Sequence, residues 1–125
     1  MTRTEPSIPP DPDHLARLRA ICMALPDAVG TVTNDYACWS IKGRAFCSYG
    51  HLHGDPVISF RCDPLEQADL IQDARFFVQP YMGRHGGTCM WLTGRVPWKR
   101  AASLIQGSYA FLTAKGASAR GRTTR

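Results

Sequence analysis

The sequence predicts an α+β domain of two layers, with helices on one face of an antiparallel sheet and the element order α-β-β-β-α-β-β-α. Three observations predict it. The apolar period is helical over residues 12–25, alternating over 31–61 and helical again over 97–112. Lys42-Gly43 and the stretch "HLHGD" join the alternating runs by hairpin-sized connections, too short for the crossovers that parallel strands require. A chain of 125 residues suits one domain around one core.

Residues 1–10, with Pro6, Pro9 and Pro10, supply no core element and read as a disordered N-terminus. The domain proper covers 11–114, and 115–125 reads as a disordered basic tail. Asp11 caps a first helix opened by Pro12, and Leu15, Leu18, Ile21, Cys22 and Leu25 share one face until Pro26 ends it. "TVTNDYACWSI", "RAFCSYG" and "PVISFR" are rich in β-branched and aromatic residues and form a meander. With a two-residue turn at Lys42-Gly43, Ile41 pairs with Arg44. Counting back sets Trp39 against Phe46 on the core face, Cys38 against Cys47, and Tyr36 against Tyr49 on the opposite face.

Asp63-Pro64-Leu65-Glu66 has the N-cap, N1 proline and N3 glutamate of a helix start, with Leu65, Ala68, Leu70 and Ile71 as the apolar side. "FFVQPY" and "TCMWLTG" are two further strands around the run Gly83-Arg84-His85-Gly86-Gly87. Pro97 opens the last helix, where Trp98, Ala101, Ala102, Ile105, Tyr109 and Leu112 recur at helical spacing. Gly107 inside it costs about 1 kcal/mol relative to alanine.

Composition narrows the function. No stretch reaches the ~18 apolar residues of a membrane span, and the start lacks a signal-like apolar run, so a cytoplasmic protein with no membrane partner is expected. Five widely spaced cysteines without a C-x-x-C pair fit reduced thiols. The net charge of +5 is divided: residues 1–73 carry six Lys/Arg and all ten acids, residues 74–125 nine Lys/Arg and no acid. Four of those nine lie in the tail. A cationic half attracts polyanions.

The last helix opens with Arg95, Lys99 and Arg100 and no acid, although that end carries a positive partial charge. A bound phosphate would satisfy both the amides and the side chains. The glycine run lacks the spacing of a P-loop or a dinucleotide fingerprint and reads as a bend, from which Arg84 still reaches a polyanion. His51, His53 and Asp55 lie at a loop tip, so no metal is expected. No nucleophile elbow or zinc-protease helix is present; no catalytic residue and no cofactor are expected.

Five strings in order, "LRAICMALPDA", "WSIKGRAFCSY", "ISFRCDPLEQADLIQ", "PYMGRHGGTCMWL" and "LIQGSYAFL", make the chain resemble the MmcQ/YjbR family over roughly residues 14–114. Arg44 and Arg61 stand where members usually carry lysine, and the glycine loop is longer than the family's turn. The resemblance implies a frataxin-like, secretion-chaperone-like fold and a non-enzymatic DNA-binding activity, a label derived from a proposed pair of wing-like hairpins. Lys42, Arg44, Arg84, Arg95, Lys99, Arg100 and the tail are the expected contacts to DNA phosphates. The alternative is a protein-interaction module that uses the sheet face, anchored by Tyr36 and Tyr49; a small-molecule site between sheet and helices is a third reading.

Overall fold

Asp11 starts the first helix as its spacing predicts: its carboxylate accepts from the Asp13 and His14 N–H groups, ahead of helix α1, Pro12–Met23. In the computed structural model, residues 8–80 and 82–123 are described, with backbone alone for 115–123. The expectation for residues 1–10 therefore falls largely outside the described set, while the backbone of 115–123, read in the sequence as part of a tail, continues the last helix. Strands β1 (Val29–Val32), β2 (Ala37–Ile41), β3 (Arg44–Leu52) and β4 (Asp55–Arg61) follow, then helix α2 (Pro64–Leu70). Strands β5 (Phe76–Val78) and β6 (Gly87–Trp91) and helix α3 (Trp98–Thr123) complete the chain. The expected order holds, except that the run read as one strand from Thr31 turns at Thr33–Tyr36 into β1 and β2.

The six strands form one antiparallel sheet ordered β1-β2-β3-β4-β6-β5. Lys42 and Gly43 both take positive φ, as a two-residue hairpin turn of matching twist needs, and His53-Gly54 repeats the arrangement. Helices α1 and α3 cover one face, over Leu18, Cys22, Trp39, Phe46, Tyr49, Ile58, Met90, Ala101, Ile105 and Leu112, all buried.

Three expectations are corrected. Ile41 pairs with Arg44 and Ser40 with Ala45, but the register then shifts, so that Trp39 pairs with Cys47 and Cys38 with Ser48. Phe46 is the extra residue of a β-bulge. The bulge turns both Phe46 and Cys47 toward the helices, where Phe46 packs edge-on to Tyr109 and Cys47 meets Cys22 of α1. Tyr49 is thereby moved to the core side, 1 % exposed, where its hydroxyl accepts from the Asp11 N–H and bonds His14 Nδ1. It cannot anchor anything on the outer face.

The third correction concerns α2. Of its expected apolar side only Leu70 is buried; Leu65 is 84 % exposed, and Ala68 and Ile71 also face solvent. A helix of two turns packs through few residues, and here an inward position is filled by Gln67. Its amide donates to the carbonyls of Gly83 and Gly87 and to Thr88 Oγ1.

Candidate functional site

The six expected cations do not form one surface. In an antiparallel sheet the β2–β3 turn, the end of β4 and the start of β6 lie at the same edge of the strands, which puts Lys42, Arg44 and Arg84 at one end. Arg95, Lys99 and Arg100 follow β6 and lie at the other, about 15 Å away along the strands. Arg100 is also engaged, bridging to Asp73 at 3.6 Å and lying 4.9 Å over the Phe76 ring. Beside it Arg75, which sequence gave no reason to single out, donates to the carbonyls of Trp91, Thr93 and Arg95 and fastens the β6–α3 connection.

The glycine run is a hydrogen-bonded turn. Residues Gly83–His85 make one turn of 3-10 helix, and Gly86 follows at φ +88 with a Cβ position only 2.2 Å from the Cys62 carbonyl oxygen. The N–H groups of His85, Gly86 and Gly87 donate to Met82 and Gly83 carbonyls. Amides spent in this way cannot ring a phosphate. Arg84 remains exposed on the turn.

A different feature occupies the face that the helices leave uncovered. Alternation sends Tyr36, Cys38, Ser48, Gly50, Val57, Ser59, Arg61, Phe77, Cys89 and Trp91 outward. Among them runs a trough of about 380 Å³. Tyr36, 44 % exposed, forms one wall. Phe77, Gln79 and Pro80 form the other, and Trp91 backs Phe77 at a ring separation of 4.9 Å. The floor is small: Ser48, Gly50, Ser59 and Cys89. Ser48 and Ser59 bond to each other across the β3–β4 pair.

A further depression of about 140 Å³ shares Tyr36, Ser48, Ser59 and Gln79, and adds Arg61, Ala45 and Met82. The trough thus leads toward Arg61 and the end that carries Lys42, Arg44 and Arg84, while Asp35 stands in its lining away from that mouth. Burial raises the Tyr36 phenol, offset in part by its bond to Ser48, and pushes the Cys89 thiol up to about 11, so both are neutral at pH 7. Arg61, Phe77, the serine pair and Cys89 were absent from the expected site. Period-2 alternation in "PVISFR" did place Arg61 with Val57 and Ser59, but the wall opposite comes from β5, whose place in the sheet no local pattern encodes.

His53 lies exposed in the β3–β4 turn, and His51 pairs with Pro56 beside the Tyr49 ring. Among the described residues no group of three His, Cys, Asp or Glu is arranged to hold a metal, and no helix is long and apolar enough to cross a membrane.

A family model described as YjbR matches residues 23–111. The crystal structure of Deinococcus radiodurans protein DR2400, which carries a DUF419 domain, is similar with a TM-score of 0.71 at 23 % identity, covering 82 % of this chain and 80 % of that one. At that identity the likeness speaks for the fold. No curated protein matches the chain.

Proposed function

The chain belongs to the YjbR family, and from that premise we infer that it is a non-enzymatic domain that binds single-stranded nucleic acid in the trough of the uncovered sheet face. One observation carries the reading: aromatic walls, Tyr36 on one side and Phe77 with Trp91 on the other, flank a small uncharged floor whose one mouth opens on Arg61. Bases stack on aromatic rings in a sequence-tolerant way, and cations along the same track hold the backbone. A duplex is too wide for such a trough and keeps its bases stacked inside. Lys42 and Arg84 lie at the same end and extend the cationic mouth, whereas Arg44, paired with the core-facing Ile41, projects from the helix side; Arg95, Lys99 and Arg100, at the far end, are not part of it. Nothing in this reading requires base-specific contacts.

The test is fluorescence anisotropy with labelled oligothymidylate and, beside it, a duplex. Single strand should bind more tightly than duplex, and the affinity should fall with salt as counterions are released. Tyr36→Ala and Arg61→Glu should each weaken binding about tenfold or more, since a base stacked on an aromatic side chain contributes roughly 1–3 kcal/mol. Arg95→Glu with Lys99→Glu should change it little beyond general charge. If that pair abolishes binding while the trough variants keep it, the docking point is the start of α3 instead. A protein-interaction reading is favoured by the same floor, which also fits an extended peptide; it predicts binding indifferent to salt.

A further inference from the structure

The two edges of the sheet are unequal. Strand β5 has three residues, is followed by Gln79-Pro80 and presents little ladder. Strand β1 is exposed along all four of its residues, and residues 28–34, "AVGTVTN", contain no charge and no proline. Soluble proteins usually guard an edge strand with one or the other. Val29 and Val32 are 60 % and 50 % exposed, with Met23 of α1 exposed beside them.

The phase of the β1–β2 ladder follows from the bond of the Thr33 N–H to the Tyr36 carbonyl, which makes that pair a hydrogen-bonded one. Bonded and non-bonded pairs alternate, so Val29 and Thr31 turn their backbone groups to β2, and Gly30 and Val32 turn theirs to the free edge. On the helix side of the same edge lies a depression of about 140 Å³ lined by Arg19, Met23, Gly30, Val32 and Trp39. Position 30 carries no side chain there because the Trp39 indole takes the space: a Cβ would lie 2.8 Å from its Nε1.

We propose that β1 pairs antiparallel with β1 of a second copy about a two-fold axis through Thr31. In that register Gly30 faces Val32 of the second copy as a hydrogen-bonded pair, and the two Thr31 residues face each other as a non-bonded pair. Each Val32 then lies over the partner's Gly30, against Met23 and the edge of the Trp39 indole. Knob and hole sit two residues apart on one strand, the spacing the two-fold needs. The uncharged run lets two identical edges meet without repulsion. A four-residue ladder buries far less than a standard interface, so the dimer is weak and concentration-dependent. It joins the sheets edge to edge, with both troughs on one side.

Sedimentation velocity over a dilution series reads the association. Wild type should shift from monomer to dimer, and Val32→Lys should raise the dissociation constant about tenfold or more, because a lysine on the edge opposes pairing. Thr31→Cys, made in a Cys38→Ser background because Cys38 faces Thr31 across the β1–β2 ladder and would capture the new thiol within one chain, supplies an independent readout that does not rest on a disruptive change. The non-bonded pair brings the two Cβ atoms close enough for a disulfide, so this variant should cross-link into a dimer in a glutathione redox buffer above the wild-type background. A wild type that stays monomeric at every concentration overturns the proposal, and the edge is then left to another chain's strand. So does a dimer that survives Val32→Lys, and so does a Thr31→Cys variant that fails to cross-link.

Discussion

Ser108 holds two backbone groups that would otherwise be buried without partners. Its hydroxyl donates to the Phe46 carbonyl, 2.7 Å away, which the bulge removes from the β2–β3 ladder, and accepts from the Arg61 N–H at 2.8 Å. The side chain is fully buried, so no water replaces it. Ser108→Ala should cost about 2–4 kcal/mol in urea unfolding, since each orphaned buried group carries its own desolvation penalty. A loss below about 1 kcal/mol would mean that the bulge relaxes without it. In sequence Ser108 was visible as part of "LIQGSYAFL" without a reason. The reason lies in a bulge 62 residues away.

Helix α3 shows which features of an element are local. Its expected apolar positions are the ones that pack, with Ala101, Ile105 and Leu112 buried and Trp98 and Tyr109 half-buried. The 3.6-residue period leaves little choice once one face meets the sheet. Gly107 is off that face, and a Cβ there would meet nothing within 4 Å. Gly107→Ala should therefore raise stability by about 0.5–1 kcal/mol through helix propensity. An unchanged or lower melting temperature would show that the glycine has a role beyond the helix. Helix α2 behaves oppositely: its caps were legible at Asp63 and Pro64, while its buried polar face, through Gln67, depends on where the glycine turn docks.

At the scale of the whole molecule, six thiols and phenols are shifted in one direction. Burial is the leading cause of the upward shifts of Cys38, Cys62, Cys89, Tyr36 and Tyr49; for Cys47 the contact with Cys22 leads and burial adds to it. The folded chain therefore keeps protons that the unfolded chain gives up. Stability is full below the ordinary thiol value of 9.0 and is lost as pH rises toward the folded values, about 11 for Cys89. Urea midpoints should hold from pH 7 to 9 and fall between 9 and 11, with Cys89→Ala falling less. A midpoint that rises in that window would contradict the burial of these groups.

Residue order alone determined the fold class, the three helices with the caps of the first two, and the Lys42-Gly43 hairpin turn, because period, capping and turn chemistry act over a few residues. It determined the core face of β2, through Trp39 and Ile41, for the same reason. The bulge at Phe46 was beyond it: a single extra residue reverses every side chain after it, and what selects the reversal is the packing of Phe46 on Tyr109 and the reach of Ser108. The insertion of β6 between β4 and β5 was equally invisible, since strand order is a long-range choice. Those two tertiary decisions make the candidate site. One buries Tyr49 and leaves Tyr36 as a wall of the trough; the other carries Phe77 across to face it.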